Sequence, residues 1–531
     1  MERTVPTTVA TGPARAALDA AIAALSAAPP SVDAPITERV LPNGLRVLVL
    51  EDHRAPVAAH SLWYGVGSID ERSGVTGIAH VLEHMMFNGT HRYGPGEYDQ
   101  QMRALGAYTN AMTWTDYTAY TIEAPADQLS TIMTLEAERM TDLNITDAEF
   151  EREIRVVMEE RRQSSDDDPA GQLYENLYAS AFHASPQRWP IIGWMSDLQT
   201  MQADDVRQWY RQWYRPENAV LVVAGDVKPE TVFSLALQHF GAIPRLADAE
   251  APRRRAQSEP QQRGVRRIES RAHTPTAQIA IGFKVPHLSG VPKGTRENVD
   301  QDASQDVFAL AILAELLDWG RTLEGAVVRQ KRLADETWAS YDYLVRSPGL
   351  FIIGAVCAQD VAPARVERAL RAVIAGIAAD GVSEGALSRV RTQMMSARLY
   401  RADSVFEQAD ELGRLAMLGL SNDARSIDAR LAAVTGDQIK DVAARYFGDD
   451  TMTVAILLPD ADEDDADEGD EGADEENDAE DNVNHGANGD SKPTATVNTA
   501  DQRRGKQRAE SEDEHRETSQ ASTMSRNGRD F

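Results

Sequence analysis

His80 and His84 stand four residues apart in the run His80-Val81-Leu82-Glu83-His84. On a helix this spacing puts both imidazoles on one face, about one turn apart, where two ring nitrogens can grip one metal ion. Glu83 lies between them on nearly the same face, within reach of a water on that metal. A carboxylate so placed can take the water's proton, which is the chemistry of metal-assisted hydrolysis. The alternative is a helix carrying two surface histidines. The flanks weigh against it: Ile78, Val81, Leu82, Met85 and Met86 give the segment a large apolar surface, so it reads as a buried helix. Thr76 or the adjacent glycines can start it, and Asn88-Gly89 can end it. Polar groups on a buried helix need partners, and a metal supplies them.

The order H-x-x-E-H reverses the commoner H-E-x-x-H zinc-protease motif and is the inverzincin signature. Trp63-Tyr64-Gly65-Val66-Gly67-Ser68 precedes it and Phe87-Asn88-Gly89-Thr90 follows. With those flanks the segment resembles the pitrilysin, or insulinase-like, family of zinc peptidases, in the branch of the bacterial relatives of mitochondrial processing peptidase. The resemblance covers about residues 36–458 and is strongest over 60–225. It implies a zinc metalloendopeptidase holding one zinc per chain and cleaving peptides or unfolded polypeptide segments. Its rival is a non-catalytic subunit that binds peptides or stabilises a partner. Such members of the family lose part of the metal motif, and here the motif is complete.

A catalytic zinc takes three protein ligands and keeps one position for water. The stretch from Phe150 to Arg162 reads as a helix, rich in helix formers, and offers Glu159 and Glu160 as the third ligand. Helical phase favours Glu160, which shares a face with Glu153, Val156 and Val157, while Glu159 turns toward Arg152, Arg155 and Gln163. The family's ligand spacing also lands on Glu160, and its assisting glutamate lands on Glu153. His80, His84 and Glu160 are thus the expected metal ligands, with Glu83 as general base on the zinc-bound water. Glu153 is expected to orient the histidines, or else to pair with a nearby arginine.

The run from Asn110 to Tyr120 is rich in Thr, Tyr and Trp and reads as a strand. In the family the matching Asn-Ala-x-Thr segment is an edge strand beside the zinc to which substrate adds, which assigns Asn110 and Ala111 to substrate binding. An ordinary amphipathic strand is the plain reading. The family often carries a substrate-holding arginine in its second half, with a tyrosine seven residues on. Arg329 sits near that place, but seven on is Glu336, and a register set by Leu333-Ala334 gives Asp335. A surface helix charge is the plain reading of Arg329; the functional one leaves the tyrosine to a second chain.

The chain has 531 residues, a formal net charge of -30 and one cysteine. A single cysteine excludes a disulfide framework and any multi-cysteine metal site, and Cys357 in its apolar setting reads as buried filler. No apolar run is long enough for a membrane span, and no signal peptide is read, so the expected place is the cytoplasm. Residues 460–481 hold fifteen acidic residues and no basic ones. Beyond them the chain stays polar, so this tail is expected to be disordered. Residues 205–226 and 438–460 look like copies: a helix ending in two aromatics (Trp213-Tyr214, Tyr446-Phe447), a polar turn, then a buried strand. The expected class is α+β: two homologous α/β domains, each a mixed sheet with helices on one side, forming a clamshell. The expected segments are a flexible leader 1–35, a zinc domain 36–245, a linker 246–264, a second, non-zinc domain 265–458 and the tail 459–531. Expected partners are a peptide substrate and a second copy or related non-zinc subunit; nucleic acid is not among them.

Overall fold

A computed structural model of the chain describes residues 36–246, 254, 259–288, 301–421 and 423–460. The expected leader, nearly all of the acidic tail and much of the linker lie outside the described residues.

The first half builds a six-stranded sheet from β1 (Thr37–Val40), β2 (Arg46–Glu51), β3 (Val57–Tyr64), β4 (Tyr108–Thr113), β5 (Thr118–Pro125) and β6 (Ala219–Gly225), in the order β1-β2-β6-β3-β5-β4. The second half builds a five-stranded sheet from β7 (Arg266–Ala272), β8 (Gln278–Lys284), β9 (Ala334–Tyr341), β10 (Leu350–Cys357) and β11 (Met452–Pro459), in the order β7-β11-β8-β10-β9. Leaving β1 aside, the two orders are the same. In each, the last strand in sequence runs parallel to the first and antiparallel to the second. The class is α+β, with mixed sheets and helices in both halves.

The aromatic pairs that suggested a duplication do equivalent work. Tyr214 stacks on Tyr64 of β3, with ring centres 4.1 Å apart, and meets Tyr120 of β5 edge-on. Phe447 packs edge-on against Phe283 of β8 and Phe351 of β10, each at 4.9 Å. In both sheets the aromatic after the helix locks the helix end onto the second strand and the one beside it. Cys357 is buried in the second core with Ile353 and Ala355.

Each half also lends the other a helix. Both faces of these sheets are apolar, so helices on one side alone leave the second face bare. The helix Val405–Met417 from the second half lays Ala409, Leu412 and Ala416 against Leu48, Trp63 and Val222 of the first sheet. The helix Pro169–Ala181 from the first half lays Leu173 and Leu177 against Ala280, Ile352 and Leu457 of the second. At Gly413 the approach is so close that a Cβ would overlap the Trp63 indole. The halves are therefore joined through two exchanged apolar layers.

Candidate metal centre

The motif forms the helix Ile78–Met85, with Ile78, Val81, Leu82 and Met85 buried. Its start needs glycine. Gly77 has φ 85° and Gly193 has φ 85°; a Cβ on either would overlap the backbone carbonyl beside the other, Ile192 or Thr76. The buried carboxylate of Glu71 takes two amides at this end, Gly77 N at 2.8 Å and Ala79 N at 3.0 Å. At the other end Arg139 donates from Nε to the Met86 carbonyl at 3.1 Å, and is itself held by Glu136 and Tyr98 at 2.8 and 2.7 Å. The second carboxylate-bearing helix, Asp147–Arg161, starts at a reciprocal cap between Thr146 and Glu149. Its last residue, Arg161, donates to the Gly193 carbonyl at 2.9 Å, so both helices are referred to the same loop.

These elements bring His80, His84 and Glu160 together, with one potential ligand atom from each within 4.8 Å of the others. His84 Nε2 lies 3.3 Å from Glu160 Oε2, and His80 Nε2 lies 3.8 Å from Glu160 Oε1. His84 Nδ1 is 2.9 Å from Glu153 Oε1, whose other oxygen accepts from Asn88 Nδ2 at 3.0 Å. Glu153 thus turns the His84 ring so that Nε2 faces Glu160. The buried Glu83 accepts from Thr113 Oγ1 at 2.6 Å. Glu159 points away and pairs with Arg162 on the surface at 2.8 Å.

The electrostatics suit a cation. Burial holds His80 down at about 4, with His84 adding to the effect and Glu160 opposing it, so this imidazole is neutral. Burial acts the same way on His84, but hydrogen bonds to Glu153 and Glu160 outweigh it and lift the group to about 10. The opposite shifts have different origins: burial and the neighbouring His84 keep His80 neutral, while the carboxylates of Glu153 and Glu160 demand positive charge, which a proton supplies on His84. A divalent cation meets the same demand and displaces that proton. Burial likewise opposes the charge on Glu160, yet His84 and His80 keep it below the usual carboxylate value. Burial pushes Glu83 up to about 7, with the Thr113 hydroxyl working against the rise. Two imidazoles and one carboxylate, with a second carboxylate fixing one ring, form a donor set that fits zinc.

The Asn110–Tyr120 stretch is two strands rather than one. The chain turns at 114–117, where Trp114 N donates to the Tyr117 carbonyl at 2.8 Å. Trp114 and Thr115 turn their carbonyls to Ser68 N and Ile69 N, an approach that only a glycine at Gly67 permits. β4 is the sheet's edge. Along it, Ala111 packs with the core around the motif helix and Met112 with the core on the opposite face. Alternation therefore puts Ala111 and Thr113 on the motif's face and the Asn110 side chain on the other. Arg329 is not brought into the cluster: it lies 62% exposed in the second half, 2.8 Å from Glu324. Sequence reasoning passed over Thr113, although it closes the same Asn-Ala-x-Thr run and needed only the alternation counted.

The cluster could hold a metal ion, and it sits on a helix beside an edge strand within a repeated mixed-sheet fold; comparison with known proteins gives the family. Residues 46–193 match the model of Insulinase (Peptidase family M16), and residues 200–394 match that of the Peptidase M16 inactive domain. The chain belongs to the M16 family of peptidases, the pitrilysin or insulinase-like family. It is similar to zinc protease PqqE of Helicobacter pylori, with 29% identity over 426 residues, spanning 79% of this chain and 92% of that protein. It is also similar to mitochondrial-processing peptidase subunit beta of Lentinula edodes, with 25% identity over 438 residues, 79% of this chain and 90% of that one. Among solved structures, a protease from Helicobacter pylori superposes with a TM-score of 0.74 at 27% identity, over 80% of this chain and all of that one. Among the described residues no helix is long and apolar enough to cross a membrane.

Proposed function

We propose that this chain is a zinc metalloendopeptidase that hydrolyses peptides or unfolded segments, with His80, His84 and Glu160 as the zinc ligands and Glu83 as general base. The observation that carries the reading is the convergence of one ligand atom from each of His80, His84 and Glu160 within 4.8 Å, with Glu83 on the helix that carries the two histidines. Zinc, when bound, polarises the scissile carbonyl and lowers the pKa of water toward about 7. Glu83 removes the proton of the attacking water as its oxygen bonds to the carbonyl carbon. It then gives that proton to the amine nitrogen as the C–N bond breaks. Glu153 acts through His84, fixing its ring by the Nδ1 hydrogen bond. The substrate lies as an added strand along β4, read by the backbone of Asn110 and Ala111.

Arg329 enters this reading as a contact for peptide running beyond the cluster. One relative is by name a subunit. A second copy of this chain or a related non-zinc subunit, supplying the tyrosine missing seven residues after Arg329, belongs to the same proposal.

The test is zinc per chain together with cleavage of casein or a quenched peptide, by wild type and by Glu83→Gln. The expected result is about one zinc in both proteins and a loss of about a hundredfold or more in the variant. Full activity in Glu83→Gln, or a wild type that holds no zinc, overturns the reading.

A further inference from the structure

We propose that Thr113 is a positioning residue that holds Glu83 in the orientation of a general base and ties that orientation to the peptide-binding edge strand. The proposal rests on the peptidase reading. Thr113 and Glu83 are both buried, and Thr113 Oγ1 donates to Glu83 Oε2 at 2.6 Å. A glutamate side chain has three rotors, and the helix backbone fixes none of them. One oxygen held by a hydroxyl removes that freedom and leaves Oε1 for the water.

The donor's place on the chain gives the contact its meaning. Thr113 is the last residue of β4 and pairs with Thr118 of β5 on its inner side, while among the described residues no strand lies on the outer side of β4. A peptide that adds there takes up the outward amide and carbonyl groups and stiffens the strand. Oγ1 is one rotor from that backbone, and a β-branched side chain is stiff at that rotor. Order imposed on β4 by substrate therefore reaches the Glu83 carboxylate through Thr113, whose hydroxyl donates to it and whose backbone amide adds to the hold. Binding the peptide and orienting the base become one event.

The experiment compares wild type, Thr113→Val and Thr113→Ser. Valine keeps the volume and the strand preference without the donor; serine keeps the donor without the methyl. Crystal structures of the purified variants read the Glu83 carboxylate directly, and zinc content, kcat and KM are measured on the same preparations. In Thr113→Val, Glu83 is expected to leave its position. Zinc stays near one per chain, KM stays within about twofold and kcat falls roughly 10- to 100-fold, the scale of a lost hydrogen bond to a charged group. Thr113→Ser is expected to restore Glu83 and to bring kcat within about threefold of wild type. An unmoved Glu83 with wild-type kcat in Thr113→Val overturns the proposal. So does a raised KM with unchanged kcat, which marks a plain substrate contact, or a serine variant as slow as the valine one, which marks packing. If wild type shows no cleavage that depends on Glu83, the peptidase reading falls, and the place of Glu83 in the valine variant still decides whether Thr113 positions it.

Discussion

Arg46 and Arg266 hold the same place in the two sheets. Each is the first residue of its strand and pairs with the second residue of the parallel neighbour, Val220 for Arg46 and Thr453 for Arg266. Each also binds the end of the helix lent by the other half. Arg46 donates to the Ala416 carbonyl at 2.9 Å, and Arg266 to the Ser180 carbonyl at 3.2 Å and to that of Ala181. A guanidinium at a helix C-terminus takes carbonyls the helix cannot satisfy and meets the negative end of its dipole. The exchange of helices is thus fastened at equivalent points in both directions.

Arg46→Ala and Arg266→Ala should each lower the free energy of unfolding by about 1–3 kcal/mol, the range for hydrogen bonds to a charged group. Arg266 should lose more, because its side chain is 17% exposed against 30% for Arg46. Urea titration followed by circular dichroism measures this. Unchanged midpoints in both variants would show that apolar contact alone holds the exchanged helices.

The features that could be read in advance share a cause: they are local. The motif helix announces itself by its apolar residues, and helical phase with the family's ligand spacing picks out Glu160, not Glu159, which the structure turns toward the histidines. The duplication shows in Trp213-Tyr214 and Tyr446-Phe447 because both copies keep an aromatic that must cover the same two strands. What was missed depends on distant partners. The apolar stripe of Val405–Met417 says that the helix is buried, but not that Trp63, far back in the chain, is beneath it. The turn after β4 went unread because Trp114, Thr115 and Tyr117 all favour strands, leaving Asp116 as its one turn-former. Glu71 and Arg139, which hold the two ends of the motif helix, look like any other charges until the fold buries them.

Glu160→Gln should remove most of the bound zinc, and Glu159→Gln should leave it. Of the two, Glu160 faces the Nε2 atoms of His80 and His84, while Glu159 is spent on Arg162 in an exposed pair of little energetic weight. Zinc per chain by elemental analysis after dialysis separates the two. Equal losses would place the third ligand elsewhere.

Arg329→Ala should leave zinc content and melting temperature unchanged, since its pair with Glu324 is exposed and the proposed ligands His80, His84 and Glu160 lie in the other half. If the guanidinium holds peptide, KM rises several-fold while kcat stays level. Peptide kinetics across a dilution series, with mass by light scattering, measures both this and any need for a second subunit. Equal KM values remove Arg329 from the substrate path.

The clasp on the exchanged helix should also be sensitive to acid. Asp52, at the end of β2, accepts from Arg54 at 2.6 Å and from Gln408 of the exchanged helix at 3.1 Å, and Arg54 reaches on to Asp403 at 3.0 Å. The Arg54 hydrogen bond is the largest influence on Asp52. With Gln408 it outweighs burial and brings the group from an ordinary 3.8 to about 2. A carboxylate whose folded value is lowered prefers the folded state when charged. Its contribution is therefore whole above about pH 4 and disappears as the pH falls from 3.8 through 2. Asp52→Asn removes the charge at every pH. The variant should be less stable than wild type at pH 7, and the gap should close below about pH 4 as wild type loses the same charge. Urea midpoints of both proteins at pH 7, 5, 4 and 3 would trace it. A gap that stays constant down to pH 3 would mean that shape and hydrogen bonding, rather than charge, hold the end of the helix.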